Sequence, residues 1–283
     1  MIDETIEEIS EMQTHSSSVV AIKAADALRE LLDRDFATVE EYERTLERNG
    51  SALRRANVSH ASLQNAVREV VAVVSDGEFE SVPDAKAATE ETIDSVIDRI
   101  EAGKHRAAEH AAAWLEDGST ILTHDYSSTV LEAIDIAASD GTYLEVYVTE
   151  ARPRYLGRKT VRTLAEMDRV DANLIVDSAS GYYLDECDAV VVGMDCIVED
   201  TLFNRVGTSP IAASAAEAEV PFVVVGSSAK IVDGGFVFEN EFRSPSEVMR
   251  EPPDGFSVEN PAYDATPLSL VDSLITDEGR RSA

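Results

Sequence analysis

The stretch Ala189-Val190-Val191-Val192-Gly193-Met194-Asp195 decides the fold: four consecutive apolar residues run into a glycine and then a carboxylate. A run this short, apolar at every position rather than at alternate ones, reads as a strand buried on both faces. That is the habit of a parallel sheet covered by helices. Similar β-rich runs stand on either side of it at Ile121–Thr123, Tyr143–Val148, Leu174–Val176 and Pro221–Val225. Between them, Val130–Ala138 and Ile211–Ala218 carry the spacing of amphipathic helices. Strand and helix signals in alternation predict a Rossmann-like layout. No Gly-x-Gly-x-x-Gly follows the first strand, so a dinucleotide site has no support.

Ahead of Asp117-Gly118 the pattern is helical, with apolar residues three and four apart, as in Val20, Ala24, Ala27, Leu28 and Leu31. Breaks are expected at Asn49-Gly50, Asp76-Gly77 and Pro83-Asp84, which gives four or five helices. The fold class is therefore α/β, with an amino-terminal helical subdomain over 1–116 followed by a Rossmann-like parallel-sheet domain over 117–283.

The 283-residue chain is 44% hydrophobic, a globular composition, yet holds 55 Asp and Glu against 24 Lys and Arg for a formal charge of -31. Direct nucleic-acid binding is disfavoured, because counterion release needs a basic face. The acids are spread between apolar segments and form no block, which favours a halophilic surface, its self-repulsion screened by salt, over a disordered tail. Cys187 and Cys196 have neither CxxC spacing nor a histidine cluster, so they read as buried small hydrophobes rather than zinc ligands. Residues Met1–Ser10 lack the basic and apolar pattern of a signal peptide, and no apolar run reaches the length of a membrane span. A cytoplasmic protein without a membrane partner is expected.

In open parallel sheets, ligands collect at the carboxyl ends of strands. The first strand leads into Thr123-His124-Asp125-Tyr126-Ser127-Ser128, whose hydroxyls and backbone N–H groups could hold a phosphate or simply cap a helix. The second leads into Thr149-Glu150-Ala151-Arg152-Pro153-Arg154-Tyr155-Leu156-Gly157-Arg158, with three arginines in seven positions. Guanidinium groups at this density suggest anion recognition, with solvated surface charge as the plain alternative. The fourth strand delivers Asp195, and a loop is expected to follow with Phe203-Asn204-Arg205-Val206-Gly207-Thr208.

Taken in order, THDYSS, TEARPRYLGR, VVGMD, FNRVGT and ENPAYDATPLSLVDSLIT resemble the motifs of one superfamily. It joins the alpha, beta and delta subunits of initiation factor 2B to ribose-1,5-bisphosphate and methylthioribose-1-phosphate isomerases. The resemblance covers Asp117 to Gly279 well and Ser17 to Leu28 more faintly. It implies that a cysteine after the strand-one histidine, with a later aspartate, moves protons while the sugar passes from aldose to ketose. Here Asp125 stands in the cysteine's place and Asp195 in the aspartate's. The family's Arg-Gly-Ala is replaced by His15-Ser16-Ser17, its glutamine by Leu156 and its usual lysine by Arg205, while Arg55 aligns loosely with a further arginine.

Two readings follow from the resemblance. In the first, preferred because three chemical positions have changed, this is a regulatory or binding protein like an initiation factor 2B subunit. It holds a phosphorylated sugar or nucleotide in a degenerate isomerase cleft through His124, Ser127, Ser128, Arg152, Asp195, Asn204 and Arg205. In the second it is an isomerase of the ribose-1,5-bisphosphate type, with Asp125 and Asp195 as the catalytic pair. The resemblance further implies a homodimer or homohexamer assembled through the carboxy-terminal domain, a translation factor as partner, and neither a metal nor an organic cofactor.

Overall fold

The structure, a computed structural model, describes residues 2–11, 16–232, 238–252 and 254–283. His15 lies outside them. The chain forms two compact units, Met1–Ala102 and Gly103–Ala283.

The first unit holds α1 (Ile2–Ser10), α2 (Ser17–Ala27), α3 (Val39–Ala56), α4 (Ala61–Ser75) and most of α5 (Val82–Ala112). Thr38 caps α3 by accepting from the Glu41 amide at 3.2 Å, satisfying an N–H that the helix itself cannot. Leu28, Leu31, Tyr42, Leu46, Leu53, Leu63, Val67 and Ile93 fill the interior without solvent exposure. The break expected at Asn49-Gly50 does not occur, and α3 runs straight through it. Gly50 faces α4, where a Cβ would come within 2.6 Å of Val71 Cγ2 and 3.2 Å of Val67 Cγ1. The glycine lets two helices touch; it does not stop one. The other breaks fall as expected, with α4 ending at Ser75 and α5 opening at Val82 just before Pro83.

Helix α5 crosses the division between the units, and its last turns place Ala108, Ala111 and Ala112 in a core shared with strand residues. The compact units consequently divide earlier than the 116/117 boundary expected from the change in sequence pattern.

The second unit continues with β1 (Ser119–His124), α6 (Ser128–Ser139), β2 (Leu144–Thr149), α7 (Gly157–Leu164), β3 (Val170–Ile175), the short α8 (Ser180–Tyr183) and β4 (Ala189–Gly193). A hairpin of β5 (Cys196–Val198) and β6 (Thr201–Arg205) precedes α9 (Thr208–Glu217), β7 (Phe222–Val225) and β8 (Ile231–Val232). The short α10 (Pro245–Val248), β9 (Tyr263–Pro267), β10 (Ser273–Thr276) and β11 (Gly279–Ser282) complete it.

The main sheet has the order β11-β10-β7-β4-β1-β2-β3, and only the β10–β11 pairing is antiparallel. Alternate residues serve opposite faces: Val146, Val148, Val191 and Val223 join one core, and Tyr147, Val190, Val192 and Val224 the other. That two-sided burial is why these strands read as continuous apolar runs. The chain builds outward from β1 to β3, then returns to lay β4 on the other side of β1. The switch point between β1 and β4 is where this architecture opens a crevice for ligands.

A second sheet, β8-β5-β6-β9, stands beyond the end of β4 and is absent from the sequence-based expectation. The loop expected around Asn204 and Arg205 is in fact strand β6, paired antiparallel to β9 with Asn204 opposite Asp264 and Arg205 opposite Tyr263. No helix among the described residues is long and apolar enough to cross a membrane. Both cysteines are buried and unbridged, and burial pushes each thiol up to about 12.

Candidate functional site

The switch point brings together three loops. The one after β1 delivers Asp125, buried and held at a φ of 62°, a left-handed conformation that Asp tolerates better than most residues. Its carbonyl accepts a hydrogen bond from the Thr160 hydroxyl on α7 at 2.6 Å. The loop after β2 carries two further left-handed residues, Ala151 (φ 57°) and Tyr155 (φ 60°). The Asp177 carboxylate pins it by accepting from the Ala151 and Arg152 amides, each at 2.7 Å. Three such residues around one crevice mark a backbone held by its surroundings, as functional loops often are.

The loop after β4 carries Asp195, and the β5–β6 hairpin then folds Arg205 back beside it. Arg205 Nε lies 3.6 Å from Asp125 Oδ2 and 3.7 Å from Asp195 Oδ2, with the Tyr263 ring centroid 4.9 Å from the guanidinium carbon. All three charged side chains are almost wholly buried. Burial opposes the Arg205 charge, but the surrounding Tyr263, Asp195 and Asp125 outweigh it and raise its pKa. Burial pushes the Asp125 carboxyl upward; the Arg205 and His124 charges pull against the shift and the Asp195 charge adds to it. One guanidinium thus orders two acids, one of which is inclined to keep its proton.

A crevice lined in part by Asp125 and Arg205 opens beside this triad. Among the described residues, its charged lining comprises Arg152, Arg154, Arg205 and Arg243 against Asp125 and Glu247. Leu156 supplies an apolar wall. In a chain with 55 acids and 24 bases, this lining reverses the overall charge balance.

Arg152 reaches over the mouth, donating to the Tyr155 hydroxyl and, at 3.1 Å, to the Val248 carbonyl. Arg158, the third arginine of its motif, turns away to Glu150 at 2.7 Å and stacks on Tyr155.

Several residues expected to contact a ligand make contacts within the scaffold. His124 Nε2 donates to the Val206 carbonyl at 2.9 Å, and Nδ1 shares a hydrogen bond with the Thr149 hydroxyl at 2.6 Å. Both ring nitrogens are used, and the ring packs where a Cβ on Gly207 would stand. Asn204 is buried and donates to Thr208 Oγ1 at 3.1 Å, bracing the turn into α9. Ser127 caps α6, accepting from the Val130 amide at 3.3 Å, and Ser128 is the first residue of that helix. Arg55 sits in the last turn of α3, in the other unit.

Three site residues escaped sequence reasoning. Lys230 is buried behind Asp195, donates to the Met194 carbonyl at 2.9 Å, and is lowered in pKa by burial with Asp195 opposing. The only hint was a lysine following a core strand in a chain poor in cations. Arg243 and Glu247 lie in a stretch with no periodicity, so nothing local announced that it folds across the crevice.

The Initiation factor 2 subunit family matches residues 13–282. The chain is 35% identical over 288 residues to a ribose 1,5-bisphosphate isomerase of Methanocaldococcus jannaschii, covering 99% of this chain and 91% of that protein. A ribose 1,5-bisphosphate isomerase of Haloterrigena turkmenica is 33% identical over 293 residues, covering 98% and 88%. Among solved structures, a translation initiation factor eIF-2B of Pyrococcus horikoshii superposes with a TM-score of 0.83 at 25% identity, covering 99% of this chain and 96% of that one.

Proposed function

The chain belongs to the Initiation factor 2 subunit family, and from that premise we propose that it is a sugar-phosphate aldose-ketose isomerase acting on a pentose bisphosphate such as ribose 1,5-bisphosphate. The names of the relatives favour this reading over the regulatory one preferred from sequence. The observation that carries it is the pairing of Arg205 with both Asp125 and Asp195, where Asp125 and Arg205 line an arginine-rich crevice.

Aldose-ketose isomerisation moves a proton between adjacent carbons and needs one group to take it and another to give one. Two buried carboxyls whose environments differ can divide those tasks. Asp125, its pKa raised by burial, is the proton donor to the sugar oxygen as the enediol forms, and Asp195 receives the carbon-bound proton. Arg205 keeps both acids in register and offsets charge as it develops. Arg152, exposed at the mouth, receives a phosphoryl group. Aspartate can thus replace the family's thiol, because burial gives the carboxyl a proton to lend.

Turnover of ribose 1,5-bisphosphate by the purified protein in molar potassium chloride, followed by phosphorus NMR, tests the assignment. Appearance of a ketose bisphosphate is expected. Tight binding of the sugar with no turnover would return the regulatory reading to first place, since the same crevice would then serve recognition alone.

A further inference from the structure

The charges at the outer end of the crevice are unevenly matched. The Arg243 guanidinium clasps the Glu247 carboxylate bidentately, with Nε 3.0 and 3.2 Å from its two oxygens and one terminal nitrogen at 2.9 Å. Its other terminal nitrogen reaches Glu241 at 3.2 Å. Asn260 donates to the same Glu247 carboxylate at 3.2 Å. Arg154 faces it too, but its Nε stops at 3.9 Å, beyond hydrogen-bond length. The Glu247 carboxylate thus accepts its short hydrogen bonds from Arg243 and Asn260, and meets Arg154 as a longer ion pair. A tetrahedral phosphoryl group has three oxygens, spreads them in space, and pairs guanidinium forks more fully.

Two further observations point the same way. Burial and the neighbouring Arg243 lower the Arg154 pKa, so a more highly charged anion would relieve an existing strain between like charges. Glu247 sits on the one-turn helix α10 with 23% of its side chain exposed, so it has solvent to swing into while Arg243, four residues earlier, stays in place.

We propose that Arg154 and Arg243 form a phosphate seat, filled in this structure by the Glu247 carboxylate, and that a phosphoryl group of the ligand takes the seat by displacing Glu247. This rests on the anion-binding part of the proposed function and deepens it. The crevice then has two phosphate contacts, Arg152 at the mouth and this pair, and Glu247 serves as an internal competitor that small anions must outbid.

Calorimetric titration with inorganic phosphate tests the seat in the unmodified protein, in Glu247→Gln and in Arg154→Gln. Removing the competing charge should tighten phosphate binding by about tenfold in Glu247→Gln, the scale of one charge-assisted contact, and Arg154→Gln should weaken it by a similar factor. The double variant should lose the gain. Phosphate binding in Glu247→Gln no tighter than in the parent overturns the proposal, as does unchanged affinity in Arg154→Gln. Should Glu247→Gln fail to fold, Arg154→Gln alone decides, because it leaves the Arg243–Glu247 pair intact. The isomerase reading is tested separately by turnover, so an inactive protein with the expected phosphate titrations would retire that reading and keep the seat.

Discussion

Replacing Asp125 by Asn removes the carboxyl that the proposed mechanism uses as its acid, while keeping the size of the side chain. Arg205 stands 3.6 Å away, and at an effective dielectric of about 20 that attraction amounts to about 4–5 kcal/mol. The Asp125 pKa is nevertheless raised, so the cost of burying its charge exceeds what Arg205 returns. Because the folded pKa lies above the unfolded one, Asp125 supports folding fully only below the unfolded value and loses that contribution as pH rises through the folded value. The Asn variant should accordingly be as stable as the parent at neutral pH, or more so, by thermal unfolding. Its turnover of ribose 1,5-bisphosphate should fall by about 10²–10⁴-fold, the usual worth of a positioned acid, or roughly 3–5 kcal/mol of barrier. In the parent, kcat should decline as pH rises and the proton leaves Asp125, and that limb should be missing from the residual activity of the variant. Equal turnover in parent and variant, or an unchanged pH limb, would refute the assignment of Asp125 as the acid.

Other consequences are open to direct measurement. Arg152→Ala should weaken binding of ribose 1,5-bisphosphate by at least about tenfold, on the order of 1.5–3 kcal/mol for a hydrogen bond to a charged group, and calorimetry with unchanged affinity would remove Arg152 from the phosphate path. A formal charge of -31 should make the melting temperature climb from dilute to multimolar potassium chloride, and a flat series defeats the halophilic reading. Gly157→Ala should destabilise the fold by about 2–3 kcal/mol in urea, since its Cβ would meet the Thr149 carbonyl oxygen at 1.8 Å and a strand backbone cannot step aside. An unaltered urea midpoint would mean that α7 does not pack that closely on β2.

The main sheet was legible because each of its core strands buries both faces, which stamps an unbroken apolar run on the sequence at Ile121–Leu122, Val190–Val192 and Phe222–Val225. The second sheet left no such mark: β5 has three residues, and β6 mixes apolar Leu202 and Phe203 with polar Asn204 and Arg205 that are also largely taken out of solvent. Its meaning lies in pairing with β9, some sixty positions further on, and short-range pattern carries no news of that. The acids of the site were readable as polar residues at strand ends. The roles of His124 and Asn204 were not, since their partners Val206 and Thr208 become neighbours only once β6 is a strand. Arg243 and Glu247 were hidden for the same reason, in a segment whose place is set by long-range contacts such as that from Arg152 to the Val248 carbonyl.

The β5–β6 hairpin carries a further implication for how this protein can vary over generations. Glu199 and Asp200 alone separate the paired residues Val198 and Thr201, and Glu199 turns the corner at a φ of 51°. Side chains alternate across a strand, so one added or deleted residue at that corner would send Arg205 to the opposite face and take away the guanidinium that Asp125 and Asp195 share. Point changes in the corner are cheap by comparison, since both of its residues are exposed. Descendants of this chain should therefore differ freely in which residues make the turn and hardly ever in how many, and a library that varies loop length here should return almost no folded, ligand-binding members.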